Sequence, residues 1–260
     1  MSKAPGSVDV VVPVFNGRAT IEAALRSVLA QEGDLLNEII VVDDGSTDGS
    51  AEVVAAIGSD KIRLFRTSNH GVASARNLGI ERSVAEWIAF LDADDLWEKN
   101  KLKAQIQTAA DTGAGFICGT VNDQPISRSR PISAFSLWRG NFVATSAVLV
   151  QRKILLQSAP VFSTGMAFAE DYLAWLKCLT LTPGYYMSAN LATYILSARP
   201  RYNWRLILKN LVLLNMSFTI FVWRTHSAFA KKILLPVSLL AGSAISIFSI
   251  VKRFMRSHHA

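Results

Sequence analysis

The 260-residue sequence predicts an α/β fold, a mainly parallel sheet with helices on its faces, followed by an apolar helical extension. Three observations predict it. Short β-branched runs alternate with segments of helical periodicity through the first hundred residues, the pattern of parallel strands joined by right-handed crossovers. Those runs are almost wholly apolar, as strands covered on both faces are. Past Pro200 the composition shifts to long apolar stretches bracketed by basic residues.

The elements follow in order. Residues 8–14 form the first strand, stopped by Pro13 and by the turn formers Asn16-Gly17. Thr20 stands where a cap belongs, and Ile21, Ala24, Leu25, Val28 and Leu29 make the buried face of the helix it starts. Residues 38–42 are the second strand. It ends in Asp43-Asp44-Gly45-Ser46-Thr47-Asp48-Gly49-Ser50, too dense in turn formers to extend further. Asp48 or Ser50 then opens a helix through Ile57. A third strand at 62–65, a helix at 71–82 and a fourth strand at 86–91 complete the regular part. The fourth strand runs straight into Asp92, Asp94 and Asp95. Beyond it, 98–110 reads as helix and 115–118 as a short strand. Residues 123–139 are polar without periodicity, a loop long enough to be functional or mobile. Strand character returns at 142–150. Residues 170–179 are a helix with Tyr172, Trp175, Leu176 and Leu179 on one side. The expected organisation is one domain over 1–200, divided near 118, and a tail over 201–260.

Composition narrows the partner. The formal net charge is +7 and half the residues are hydrophobic, with a mean hydropathy of +0.28. Basic residues gather in the last third, which favours an anionic membrane surface. No basic stripe interleaved with aromatics is present, so nucleic acid is not an expected partner. Cys118 and Cys178 stand far apart and give neither a disulfide framework nor zinc-ligand spacing. Residues 1–6 lack the apolar core of a signal peptide, so the main domain is expected in the cytoplasm.

Chemistry concentrates where the strands end. In open α/β sheets ligands bind beyond the carboxyl ends of the strands. Three such ends carry Pro13-Val14-Phe15-Asn16, Asp43-Asp44-Gly45-Ser46 and Asp92-Ala93-Asp94. Asp-x-Asp offers hard oxygen ligands suited to Mg²⁺ or Mn²⁺, ions commonly shared with substrate phosphates. Asp43-Asp44 suits a nucleoside, since carboxylates accept hydrogen bonds from ring N–H or ribose hydroxyls. A P-loop and a Gly-x-Gly-x-x-Gly turn are both missing. Any one of these pieces alone reads as a solvated turn; their order gives them force.

Residues 8–102 resemble the nucleotide-sugar-binding half of inverting family 2 glycosyltransferases. Four blocks carry the resemblance: Pro13 to Asn16, Ile40 to Asp48, Gly71 to Gly79 and Phe90 to Asp95. The resemblance implies a GT-A fold and a donor site of Pro13, Phe15, Asn16, Asp43, Asp44, Asn77, Asp92 and Ala93. It places Asp44 at the base, Asp92 near the ribose and Asp94 on the divalent metal, Mn²⁺ or Mg²⁺. Ala169-Glu170-Asp171-Tyr172 is similar to the family's Glu-Asp motif at the start of a helix. By that similarity Asp171 is the catalytic base, with Glu170 on the acceptor side. The bland alternative is that both acids merely favour a helix N-terminus.

Other residues have two readings. Arg76 and Asn77 either touch the nucleotide or tie their helix to the sheet. Residues 145–150 resemble the family strand behind the acceptor cleft, which argues for packing rather than contact. His70 is read as structural. Arg128, Arg130 and Arg139 sit in the expected loop, where they face solvent unless Arg130 or Arg139 meets an anionic acceptor.

In the tail, 233–251 is an uncharged run of spanning length and 206–223 a weaker one. Basic residues lie on every side, so the charge asymmetry that orients a spanning helix is lacking. Helices pressed into the cytoplasmic leaflet of the inner membrane remove that conflict, with spanning helices still open; the alternative is a helical pair packed on the catalytic domain, above all for 206–223. The layout is similar to small bacterial enzymes of cell-surface polysaccharide synthesis, of the teichuronic acid kind. This implies a nucleotide-sugar donor, UDP-sugar favoured, and a glycan or lipid-linked acceptor. The Gln-x-x-Arg-Trp block of processive synthases does not follow Asp171, which favours addition of a single sugar. Two alternatives share parts of the pattern: a nucleotidyltransferase, and a non-catalytic member that binds sugar nucleotide or scaffolds an assembly.

Overall fold

Seven consecutive buried residues, Val8–Val14, form β1, the strand on which the first half is built. The computed structural model describes residues 6–122, 128–166, 168–194 and Leu214. The other strands are Leu36–Asp43 (β2), Ile62–Arg66 (β3), Trp87–Phe90 (β4), Asp95–Trp97 (β5), Phe116–Val121 (β6), Arg130–Ile132 (β7), Leu149–Gln151 (β8) and Gly184–Tyr194 (β9). They join in one sheet of order β3-β2-β1-β4-β8-β6-β9-β5, with β7 also on β9. β1 pairs in parallel with β2 and β4, and β2 with β3. Proline in an inner strand costs a ladder hydrogen bond; the β4 ladder stops at Val11↔Phe90, so Pro13 faces no β4 residue.

Beyond β4 the expected parallel order breaks down. β8 runs antiparallel to β4 and β6, β6 parallel to β9, and β5 and β7 antiparallel to β9. The sheet is therefore mixed.

The helices are Ile21–Leu29 (α1), Ser50–Ala56 (α2), Val72–Arg82 (α3), Lys101–Thr112 (α4), Ala134–Trp138 (α5), Arg152–Gln157 (α6) and Glu170–Leu181 (α7). α1 buries Ile21, Ala24, Leu25 and Val28 as its periodicity requires. Thr20 is at the cap position, but its hydroxyl donates back to the Gly17 carbonyl at 3.3 Å and takes no N–H from the helix. α3 lies so close to β1 that a Cβ on Gly79 would overlap the Val11 side chain.

One face of the sheet carries a core of Val10, Leu25, Ile39 and Leu102; the other holds Phe90, Phe116, Phe162 and Trp175. Trp175, fully buried on α7, sits 5.4 Å from the Phe90 and Phe162 ring centroids and 5.7 Å from Phe116. Large aromatic surfaces dominate such packing, and this cluster seats α7 over the end of β4.

Several expectations need correction. Residues 142–150 are not one strand: Thr145–Ala147 is a 3₁₀ turn and pairing begins only at Leu149. The expected loop over 123–139 contains β7 and α5. α4 begins at Lys101 and not at 98, because the Glu98 N–H still pairs with the Leu191 carbonyl of β9. The expected tail lies outside the described residues except Leu214, which is helical and 2% exposed within the α7-side core. Among the described residues no helix is long and apolar enough to cross a membrane.

Candidate active site

The loops after β1 and β2 are tied to each other. Asn16 adopts a left-handed conformation, φ 52°, which asparagine tolerates better than most residues. Its backbone N–H donates to Ser46 Oγ at 2.9 Å, and its Oδ1 accepts the Thr47 N–H at 2.9 Å. The Gly17 N–H donates to Ser50 Oγ at 2.9 Å. Phe15, next to this junction, is 51% exposed, an apolar face left open at the strand edge.

Asp43 and Asp44 are both buried. Asp43 Oδ1 accepts the Ser46 N–H at 2.9 Å, and Arg66 Nε lies 3.1 Å from Oδ2. Asp44 accepts from Thr67 Oγ1 at 2.6 Å, from the His70 N–H at 2.8 Å and from the Gly71 N–H at 2.6 Å. Those bonds fix the approach to α3, where Gly71 has φ 88°.

From that corner opens a cavity of about 550 Å³, lined at one side by His70, Gly71, Ala73, Arg76 and Asp92. Thr145, Phe168, Glu170, Asp171 and Tyr194 line the other side. The volume falls within the range of small-molecule sites. Arg76 joins the two sides: its guanidinium donates to Asp92 Oδ1 at 2.6 Å and to Glu170 Oε1 at 3.0 Å. It also lies 5.3 Å from the Phe162 ring centroid. Burial works against its charge, but Asp92 and Glu170 outweigh burial and hold it protonated.

The carboxylates after β4 have separate environments. Asp92 is ion-paired and still 31% exposed. Ala93 packs on the core of the β1 side. Asp95 is 4% exposed and accepts from Ser146 Oγ at 2.6 Å. Asp94 is half-buried and takes no hydrogen bond or ion pair among the described residues. No group of three or more His, Cys, Asp or Glu that could cage a metal occurs among them. Asp92 and Asp94 carry the hard oxygen donors that a cation shared with phosphate oxygens would take; Asp92 lines the cavity, and Asp94 is not among its lining residues.

Asp171 enters from the start of α7. The residue before the helix acids, Ala169, has φ 63°, a left-handed conformation costing an alanine about 1–2 kcal/mol. Asp171 Oδ2 accepts from Thr145 Oγ1 at 3.0 Å. Burial first, then the neighbouring Asp171, raises the Glu170 pKa above the ordinary carboxylate value, with Arg76 opposing. Burial, reinforced by Asp92, Asp95 and Asp171, pushes the Tyr194 phenol upward and keeps it protonated.

Of the residues expected from the sequence, the structure brings Asp92, Glu170 and Asp171 to one cavity. Pro13, Asn16, Asp43 and Asp44 form the scaffold beside it. Asn77 is placed elsewhere: its amide donates to the Phe162 carbonyl at 2.8 Å and accepts the Phe162 N–H at 3.0 Å. It ties α3, not to the sheet as expected, but to the loop between α6 and α7. Arg76 ties the halves together, a role that no local periodicity signals. Thr145 and Tyr194 are not signalled as site residues by the sequence: one sits in a stretch that reads as a strand and the other ends β9, which has no clear alternation.

Comparison with known proteins places this geometry. A glycosyltransferase of Rickettsia conorii is 43% identical over 101 residues, 38% of this chain but 17% of that protein's length. Bacillus subtilis TuaG, assigned to teichuronic acid biosynthesis, is 29% identical over 184 residues, 66% of this chain and 71% of TuaG. Escherichia coli WfgD, a UDP-Glc:α-D-GlcNAc-diphosphoundecaprenol β-1,3-glucosyltransferase, is 30% identical over 181 residues, 66% of this chain and 69% of WfgD. Among solved structures, S. aureus TarS superposes with a TM-score of 0.74 at 16% identity, covering 93% of this chain and 73% of that one. The TarS fragment has also been solved with UDP-GlcNAc, TM-score 0.71. The mannosyltransferase PcManGT of Pyrobaculum calidifontis, in complex with GDP-Man and Mn²⁺, gives 0.63 at 20% identity, over 94% and 75% of the two chains. These structures share the GT-A fold. Residues 9–149 match the model of glycosyl transferase family 2, and the chain belongs to that family.

Proposed function

We propose that this chain transfers one sugar, with inversion, from a nucleotide-diphosphate sugar to an acceptor hydroxyl in cell-surface polysaccharide synthesis. The observation that carries the reading is the single cavity shared by Asp92 and the Glu170–Asp171 pair. Family membership sets the nucleotidyltransferase alternative aside. A UDP-sugar is the favoured donor, because the TarS fragment takes UDP-GlcNAc and WfgD uses UDP-Glc. WfgD's acceptor, a diphosphoundecaprenol-linked sugar, and the apolar, basic tail support a lipid-linked acceptor at the cytoplasmic face of the inner membrane.

In this reading Phe15 and the loops fixed by Asp43 and Asp44 receive the nucleoside, and Asp92 the ribose side. Asp171, oriented by Thr145, takes the acceptor hydroxyl's proton. The freed oxygen attacks the anomeric carbon opposite the diphosphate. The bond to the diphosphate breaks and its electron pair leaves with that group. A divalent ion, Mn²⁺ or Mg²⁺, bound through Asp94 would supply neutralisation of the charge developing on the diphosphate. Arg76 keeps Asp92 and Glu170 apart from each other as charges while holding both against the cavity.

The test is a donor screen on detergent-purified protein with Mn²⁺ and a lipid-diphosphate sugar, reading nucleoside-diphosphate release and product linkage. One donor is expected to stand out, with Asp94→Asn and Asp171→Asn each abolishing transfer. Full turnover by Asp171→Asn would remove the base assignment; full turnover in chelator would remove the role given to Asp94. No turnover with any donor, together with tight nucleotide-sugar binding, would favour the non-catalytic alternative.

A further inference from the structure

The 3₁₀ turn Thr145–Ala147 touches both halves of the cavity. Thr145 Oγ1 donates to Asp171 Oδ2 at 3.0 Å. The next residue, Ser146, accepts the Asp92 backbone N–H on Oγ at 3.1 Å and donates to Asp95 Oδ2 at 2.6 Å. One short piece of backbone therefore holds the acceptor-side acid and the loop bearing the donor-side acids. The turn is itself immobilised: Thr145 is 3% exposed, and Ser146 and Ala147 are wholly buried.

Two side chains grip it from behind. Trp97 Nε1–H donates to the Ser146 carbonyl at 2.7 Å, and Gln105 Nε2–H to the Ala147 carbonyl at 3.0 Å. Lys101 joins those two supports, with Nζ donating to Gln105 Oε1 at 2.7 Å and lying 3.9 Å from the Trp97 ring centroid. A wholly buried lysine is uncommon unless it is paired, and here its partners are the residues that clamp the turn. Threonine is also stiff at χ1, so the Thr145 hydroxyl has little freedom to leave Asp171.

We propose that Thr145 and Ser146 are positioning residues that set the distance between the base and the donor-side carboxylates. Thr145 aims Asp171; Ser146 fixes the Asp92–Asp95 loop; Trp97 and Gln105 hold the turn that carries both. The inference rests on the reading of Asp171 as base and of Asp92 and Asp94 as donor residues. A misplacement of about 1 Å in a reacting pair can cost on the order of a hundredfold in rate, which makes such a spacer consequential.

The two hydroxyls should separate kinetically in the full chain. Thr145→Val keeps the shape and deletes the donor to Asp171; kcat is expected to fall about tenfold or more, with donor KM within about twofold of wild type. Thr145→Ser, which restores the hydroxyl, should recover most of that kcat. Ser146→Ala should raise donor KM and the Mn²⁺ concentration for half-activation, and weaken calorimetric binding of the donor. Should Thr145→Val not fold, Thr145→Ala carries the same expectation. Wild-type kcat in the Thr145 variants beside an inactive Asp171→Asn would overturn the proposal. So would Thr145 and Ser146 variants that change kcat and KM in one shared pattern. An active Asp171→Asn would instead overturn the base assignment; donor binding by Ser146→Ala would still test the donor-side half.

Discussion

Replacing Arg76 with methionine removes the cation between Asp92 and Glu170 while keeping the length of the side chain. The guanidinium is 6% exposed, Asp92 31% and Glu170 13%. Removing one partner of a buried ion pair costs about 3–5 kcal/mol, because the other charge stays behind uncompensated. Asp92, nearly a third open to water, can rehydrate, so the low end applies, about 3 kcal/mol. For a domain of this size that is a fall of roughly 6–12 °C in melting temperature. Glu170, whose pKa is raised by burial and by Asp171 against the pull of Arg76, should rise further, moving the acid limb of activity to higher pH. Arg76→Lys keeps a charge but cannot present a planar fork to two carboxylates, and should lose activity with a smaller loss of stability. The assay is thermal unfolding of both variants in detergent, with the pH profile of nucleoside-diphosphate release. An Arg76→Met protein that melts within about 2 °C of wild type and turns over normally would refute the reasoning.

Gly79→Ala places a methyl group against Val11 and should cost about 1–3 kcal/mol by overpacking; an unchanged melting temperature would show that α3 can retreat from β1. Glu170→Gln removes a group that takes up its proton above the ordinary carboxylate range. The acid limb of kcat/KM should therefore shift to lower pH, and an unmoved limb would assign it to another group. Lys177 is pushed down to about 8 by burial, against an ordinary 10.5. Between those values the unfolded chain binds more protons than the native one, so stability rises with pH. Relative to Lys177→Met, the wild type should gain stability from about pH 8 to 10.5, by at most about 3 kcal/mol. Denaturant titrations of both proteins across that window check the sign, and a gap that widens against the wild type would refute it.

The donor half was legible because its inner strands β1, β2 and β4 are built on near-continuous apolar runs ended by turn formers. β1 and β2 match their expected spans to within two residues, and α3 to within one. The acceptor half offers weaker signals. β5, β7 and β8 have three residues each, too short to show a period. β9 mixes buried and exposed positions through Ser188, Ala189 and Asn190, and its pairing with β6 shifts register twice, so alternation cannot reveal it. The 142–150 stretch looked like a strand because its residues are buried and β-branched. Only Leu149 and Val150 lie between strands; at Thr145–Ala147 the buried residues form a turn clamped by Trp97 and Gln105.

Sequence alone determined which acids stand at strand ends and at the start of α7, because turn formers must follow an apolar run and acids favour a helix N-terminus. It could not determine which of them face one another. Arg76 meets Asp92 sixteen positions away and Glu170 ninety-four positions away. Thr145 reaches Asp171 across twenty-six positions. Such pairs follow from how α7 docks on Phe90 through Trp175 and from the antiparallel return of β8 along β4. Local periodicity records what an element buries, whereas the partner it meets is set by the closure of the whole sheet.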